Sequence, residues 1–237
     1  MKNGRFEDWI IHEDDHTLVI NKPPFISSLD ERDLSEPSVI RLAKHYFPDI
    51  QLCHRIDKET SGVLLMAKHP DAYREIAMAF ENRQVEKIYH AIVDGSISFQ
   101  EQQVDLNIFV SKSGKVRIDR NGKEAMTLFQ SLEIFRHFTL MECMPITGRM
   151  HQIRVHLASQ NCSIAGDTLY GGKVPYLSHL KRKFNTNRQG EESPMIQRFA
   201  LHARSLFLQT EHLQLDIAAD YPKDFDVFLK LIRKYDN

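Results

Sequence analysis

Residues 104–144 most constrain what this chain can fold into. The stretch reads as several consecutive strands, and its turn signals, Ser113-Gly114 and Asn121-Gly122, are pairs that reverse a chain within two residues. Strands joined by such short turns pair antiparallel, because a parallel pair needs a long crossover between its members. Elsewhere, strand and helix signals mix without regular alternation of the two. The expected architecture is therefore α+β, with a curved, largely antiparallel mixed sheet and flanking helices, rather than a doubly wound parallel sheet. Phe129, Leu132, Ile134, Phe138, Leu140 and Met141 are the core material expected from this stretch.

The flanking segments fit that plan. Thr17–Asn21 is a β-prone run stopped by Lys22-Pro23-Pro24, since proline lacks a ladder donor. A loop follows over 25–33. Ser35 is placed to cap a helix carrying Val39, Ile40, Leu42, Ala43 and Phe47 on one face, and Pro48-Asp49 ends it. Val63–Ala67 is a short apolar run read as a buried strand. Pro70 sits at the first position of a helix to Asn82, striped by Ala72, Ile76, Ala77 and Phe80. Residues 87–93 read as a strand, 148–159 as helical from about Met150, and 201–208 and 212–217 as strands. An amphipathic helix after Asp220 faces inward with Phe225, Phe228, Leu229 and Ile232.

Of 237 residues, 42% are hydrophobic and 27% charged, a composition that folds rather than stays disordered. A net charge of −1 excludes a uniformly basic protein but leaves room for a local basic face. Cys53, Cys143 and Cys162 resemble neither a disulfide framework nor a zinc knuckle, which fits a reducing compartment. The N-terminus lacks the apolar core of a signal peptide, and no run approaches the ~20 apolar residues of a membrane span. A cytoplasmic protein without membrane partners, monomeric by default, is the expectation. An N-terminal extension over 1–15 precedes one domain over 16–237, which includes a polar, basic insertion at 173–198.

Reactive groups concentrate in two places. Cys53-His54-Arg55-Ile56-Asp57-Lys58-Glu59-Thr60-Ser61-Gly62 puts a carboxylate on a loop entering a buried strand, where it can be rigid and accessible; the same residues also suit an ordinary turn. Thr147-Gly148-Arg149-Met150-His151-Gln152-Ile153-Arg154-Val155-His156 brings two arginines to a helix start, suited to phosphate or carboxylate, or to a solvated helix face. His151 and His156 do not form a metal-binding motif.

These stretches resemble the RluA-type RNA pseudouridine synthases. His54-Arg55-Ile56-Asp57 followed by Thr60-Ser61-Gly62 is similar to that family's HRLD-x-x-TSG signature, with Ile56 for leucine. Lys87 to Gly95 matches K-x-Y-x-A-x-V-x-G. Gly148 to His156 matches GRTHQIRVH, with Met150 for threonine, and Gly166 to Gly171 matches GD-x-x-YG. Leu201-His202-Ala203 matches LHA, although Gln209-Thr210 stands where His-Pro is frequent. The likeness runs in order over about residues 16–232 and is that of a compact member without an S4-like domain.

The resemblance implies the pseudouridine-synthase catalytic fold and isomerisation of uridine to pseudouridine in structured ribosomal or transfer RNA, with no metal or organic cofactor. It assigns Asp57 as the reacting carboxylate, Tyr89 as the tyrosine against the target base, and Arg154 as the ion-pair partner of Asp57. The target base must leave its stack to react. Arg55 resembles the arginine that takes the vacated space. Lys87 and Arg149 are expected at the RNA backbone or as pocket supports. His54, His151, Leu201 and His202 are expected at the substrate, the histidines having structural hydrogen bonding as their alternative. Lys181, Arg182, Lys183 and Arg188, with Lys173 and Arg198, form the basic set expected to touch RNA peripherally. Competing readings are an RNA-binding module without catalysis and an RNA hydrolase. The latter lacks a recognisable two-metal carboxylate cluster.

Overall fold

The computed structural model describes residues 4–31, 35–181, 184 and 192–237. In chain order the strands and helices are β1 Ile10–Glu13, β2 Thr17–Lys22, α1 Val39–Tyr46, β3 Gln51–Leu52, β4 Ser61–Ala67, α2 Pro70–Glu81 and β5 Val85–Asp94. There follow β6 Gln102–Asp105, β7 Ile108–Val110, β8 Val116–Ile118, β9 Met126–Ile134, β10 Phe138–Pro145, α3 Gln152–Ser159, β11 Leu201–Gln209, β12 Gln214–Ala218 and α4 Lys223–Tyr235. The fold is α+β with a largely antiparallel, mixed sheet and flanking helices, as the strand-and-turn pattern predicts. Among the described residues no helix is long and apolar enough to cross a membrane.

The chain forms two compact units. One contains the described residues up to Tyr89 with His202–Tyr221; the other contains His90–Leu201 with Pro222–Asn237.

In the first unit the strand order is β1-β2-β4-β11, with β3 beside β4 and β12 beside β11. All these pairs are antiparallel except β4 with β11, which run parallel where Ser61 faces His202 and Gly62 faces Ala203. Every residue of β4 is buried. Leu64 and Met66 pack with Val39 and Ala43 of α1, while Val63, Leu65 and Ala67 pack with Ala72, Ile76 and Ala79 of α2. A strand covered on both faces must be apolar at successive positions, which explains the unbroken run at 63–67. Phe6 and Trp9, in a 3-10 turn before β1, belong to the α1-side core. The α1 cap is Ser38, whose Oγ accepts from Arg41 N at 3.3 Å, rather than Ser35. Pro37 lies between the two serines and disfavours helical backbone at the residue before it, so the helix begins after Ser38.

In the second unit the end of β5 is followed by β10, β9 and β6 in spatial order, and β7 and β8 form a separate hairpin around Ser113-Gly114. Phe129, Phe138, Leu140 and Met141 are buried as expected. Leu132 and Ile134 are not: they are 42% and 50% exposed. Strict alternation along β9 turns Thr127 and Phe129 inward and the even-numbered positions outward, so hydrophobicity alone misplaces these two. On α4, Phe225, Phe228, Leu229 and Ile232 are all buried, and Phe228 meets Phe138 edge to face at 5.4 Å.

Candidate active site

The loop from Cys53 to Thr60 leads into β4 in the first unit, with Cys53 against the α2-side core and Ile56 in the α1-side core. Its backbone is tied down at three successive residues. Ser28 Oγ donates to Ile56 O at 2.8 Å and accepts from Ile56 N at 3.3 Å. Asp57 O accepts from Thr60 N at 3.0 Å, closing the turn, and Lys58 O accepts from Phe25 N at 2.8 Å and Lys22 Nζ at 3.1 Å. Lys22 is fully buried, and its ammonium also donates to Pro23 O at 3.0 Å and Ile26 O at 2.9 Å. Buried Ile56 anchors the loop in the core, leaving Asp57 half-buried and Arg55 and Lys58 exposed. Where the loop becomes β4, Gly62 has φ 112°, and a Cβ there would lie 2.1 Å from Ala203 O. Only glycine fits that approach.

Tyr89 is half-buried and packs against the core cluster that includes Ile56 and Ala203. Its phenol pKa is raised, first by burial and then by the negative charge of Asp57. The first unit thus brings the tyrosine and aspartate of the two motifs into one electrostatic neighbourhood.

The motif histidines are held from within this unit. His54 Nε2 accepts from Leu65 N at 3.0 Å, and its ring lies 5.2 Å from that of Phe80. A backbone N–H can only donate, so this nitrogen is unprotonated. Burial, helped by the nearby Lys87 charge, lowers the His54 pKa to about 3. Lys87 has its ammonium 5.6 Å from the Phe80 ring centre and its own pKa lowered by burial. His202 is buried, donates from Nε2 to Ala219 O at 3.1 Å and meets Ser61 Oγ through Nδ1 at 3.0 Å. These bonds match the structural alternative given for both histidines.

The second motif cluster belongs to the second unit. Gln152, at the start of α3, organises the approach: its Oε1 accepts from Thr147 Oγ1 at 2.7 Å and Arg149 N at 2.9 Å, and its Nε2 donates to Met126 O at 2.9 Å and Thr127 Oγ1 at 3.0 Å. His151 precedes the helix with φ 52° and meets Tyr170 Oη through Nδ1 at 2.8 Å. Arg149 donates from Nε to Glu124 O at 2.9 Å. Arg154 is buried and makes a bidentate ion pair with Asp167, Nε to Oδ2 at 2.7 Å and Nη2 to Oδ1 at 2.9 Å. Its guanidinium carbon stands 4.1 Å from the Phe199 ring centre and 5.0 Å from that of Tyr170. The carboxylate fork and the two rings fix the plane of the guanidinium.

Asp167, Gln152 and Tyr170 carry no expected role from the sequence, although all three stand inside the matched motifs. The available signal for Asp167 was its place in the matched Gly166 to Gly171 motif, thirteen residues after Arg154. Leu201 opens β11, and its carbonyl accepts from Arg198 Nη1 at 3.1 Å.

Arg198 corrects the expectation of a surface cation. It is buried and paired with Asp224, Nε to Oδ2 at 2.7 Å, and caps further carbonyls around the start of β11. A counter-charge on α4, far away in sequence, makes that burial possible. Of the other basic residues, Lys173 is exposed, and Lys181 is half-buried with its ammonium 5.6 Å from the Tyr235 ring centre. Arg182, Lys183 and Arg188 lie outside the described residues.

Comparison with known proteins agrees with this reading of the motifs. The RNA pseudouridylate synthase family matches residues 16–159. Ribosomal large subunit pseudouridine synthase C of Rickettsia typhi (strain ATCC VR-144 / Wilmington) is 36% identical over 215 residues, covering 87% of this chain and 71% of that protein. The protein of the same name from Rickettsia bellii (strain RML369-C) is 36% identical over 182 residues, or 73% of this chain, and the chain spans only 60% of that relative's length. The solved structure of Human RNA Pseudouridylate Synthase Domain Containing 4 superposes with a TM-score of 0.76 at 29% identity, covering 96% of this chain and 94% of that one. With the motif residues in order and the fold in common over nearly the whole length, this chain belongs to the RNA pseudouridylate synthase family.

Proposed function

We propose that the protein isomerises uridine to pseudouridine within an RNA chain, with Asp57 as the carboxylate that acts on the sugar. The observation that carries this reading is the pinned loop that holds Asp57 beside Tyr89. The reaction breaks the N1–C1′ bond, turns the uracil and joins C5 to C1′, without hydrolysis or redox change. In the favoured route Asp57 removes the C2′ proton as N1 departs with the bonding electrons, leaving a glycal. The rotated uracil then bonds through C5 to C1′ while the Asp57 carboxylic acid returns the proton to C2′. Loss of the C5 proton to water and uptake of a proton from water at N1 then restore the aromatic base, so that the product is an isomer of the starting uridine.

Tyr89 enters this scheme as a protonated phenol. Its raised pKa favours stacking and hydrogen-bond donation over phenolate base catalysis, and the C5 proton leaves to water held at its hydroxyl. The family resemblance assigns Arg154 to orient Asp57; within its own unit the Asp167 fork keeps the guanidinium rigid. Arg55, exposed beside Asp57, suits the space vacated by the flipped base. Lys87, Arg149 and the basic set at Lys181, Arg182, Lys183 and Arg188 serve as RNA-backbone contacts or supports. The names of the Rickettsia relatives favour large-subunit ribosomal RNA as substrate over transfer RNA.

Tritium release from RNA labelled at uridine C5 tests the proposal. The wild-type protein releases label and leaves the strand intact. Asp57→Asn binds the same RNA and releases none. Near-wild-type single-turnover release by Asp57→Asn refutes the assignment.

A further inference from the structure

Phe25 has φ 68°, directly after Pro23-Pro24, and is 41% exposed. A positive φ after proline is the position for which glycine is the default in a tight turn, and a bulky aromatic residue there is strained. Core packing does not compensate that strain, because Phe25 is absent from the buried cluster that receives its neighbour Ile26. The backbone on both sides is instead over-determined. Phe25 N donates to Lys58 O at 2.8 Å, and the buried Lys22 ammonium bonds the carbonyls of Pro23, Ile26 and Lys58. The strained residue is thus held one residue away from Asp57, with exposed Leu29 on the same loop and exposed Arg55 on the facing one. Backbone strain that the surroundings enforce, at an exposed side chain, marks a place where the side chain acts outward.

We propose that Phe25 is a stacking platform for an RNA base next to the reacting uridine, and so helps to select the substrate. This rests on the proposed function, which puts an RNA strand across the Asp57 loop. Extruding one base unstacks its neighbours and exposes their faces, and an aromatic ring receives such a face regardless of base identity. Arg55, on the other side of Asp57, adds a planar cation that can meet a second base or a phosphate.

The experiment compares Phe25→Gly, Phe25→Leu and Phe25→Trp, using unmodified large-subunit ribosomal RNA transcribed in vitro as the probe. Glycine removes the ring and the backbone strain together, so its thermal midpoint equals or exceeds that of the wild type. Leucine keeps apolar bulk and strain but has no planar face. The expected result is a rise in Kd of about 5- to 50-fold for both Gly and Leu, with wild-type affinity for Trp. Single-turnover rate at saturating RNA changes much less than Kd. Wild-type affinity in the Gly or the Leu variant overturns the proposal, the first because no side chain is needed and the second because bulk alone suffices. Failure of the proposed function is read separately, as absence of tritium release by the wild-type protein on the RNA it binds.

Discussion

Asp167→Asn is the substitution that most directly tests how the second unit holds its arginine. The pair it breaks is nearly dry: the Arg154 side chain is 7% exposed and that of Asp167 1%, with contacts of 2.7 and 2.9 Å. Asparagine keeps the shape but removes the charge, retains one acceptor and turns an NH2 towards a guanidinium that also donates. Breaking a buried pair from one side costs about 3–5 kcal/mol, because the remaining charge stays desolvated. At ~2–4 °C per kcal/mol for a chain of this size, a loss of about 3 kcal/mol lowers Tm by about 6–12 °C. Thermal and urea unfolding followed by circular dichroism measure both quantities. Replacing both partners, Arg154→Met with Asp167→Leu, recovers most of the loss, since neither member of this pair is then left as a lone buried charge and the Phe199 and Tyr170 rings can pack on the methionine. An Asp167→Asn variant within about 0.5 kcal/mol of the wild type would refute the reasoning.

Other consequences follow from the same structure. His54 has a folded pKa of about 3 against about 6.5 when unfolded, so the unfolded chain binds the extra proton between those values. Its contribution to stability is complete above about pH 6.5 and is lost as pH falls towards 3; His54→Gln should flatten the fall of the urea midpoint between pH 7 and 5, and an unchanged slope would contradict the assigned tautomer. Gly62→Ala forces a Cβ to within 2.1 Å of Ala203 O and should destabilise by about 3–5 kcal/mol, read as a lowered Tm or insoluble protein; wild-type stability would show that the β4–β11 approach is not tight. Arg198→Met should lower the thermal midpoint without altering the salt dependence of RNA binding, whereas a reduced salt slope would restore Arg198 as a phosphate contact.

Much of the fold was legible because local and global signals agree. The buried strand β4 announces itself as an unbroken apolar run, α2 by Pro70 and its stripe, and α4 by four apolar residues at helical spacing. The failures are those of one-dimensional evidence. Leu132 and Ile134 are hydrophobic residues on the outward side of a strand, and only the register shows which side is outward. Ser35 and Ser38 are both good caps, and the backbone restriction imposed by Pro37 decides between them. Arg198 looks like a solvated charge until Asp224, a partner supplied by a distant helix, is placed against it.

The candidate site was legible in a different way. Its motifs identify which residues gather, but they do not separate the side chains that meet substrate from those that hold the backbone. Within the single signature His54 to Gly62, His54 is committed to Leu65 N, Ile56 to the core and Gly62 to the close approach of Ala203, whereas Arg55 and Lys58 are exposed and Asp57 is half-buried. The same division runs through the second signature, where Gln152 bonds four groups of its own unit and Arg154 is clamped by a carboxylate lying beyond α3. Preorganisation of this kind requires every supporting polar group to be satisfied, since one buried orphan would cost as much as the ordering contributes. Among the described residues no buried side-chain nitrogen or oxygen lacks a partner. The polar residues of the motifs are therefore mostly a scaffold, and the part each one plays is read from what it is already bonded to.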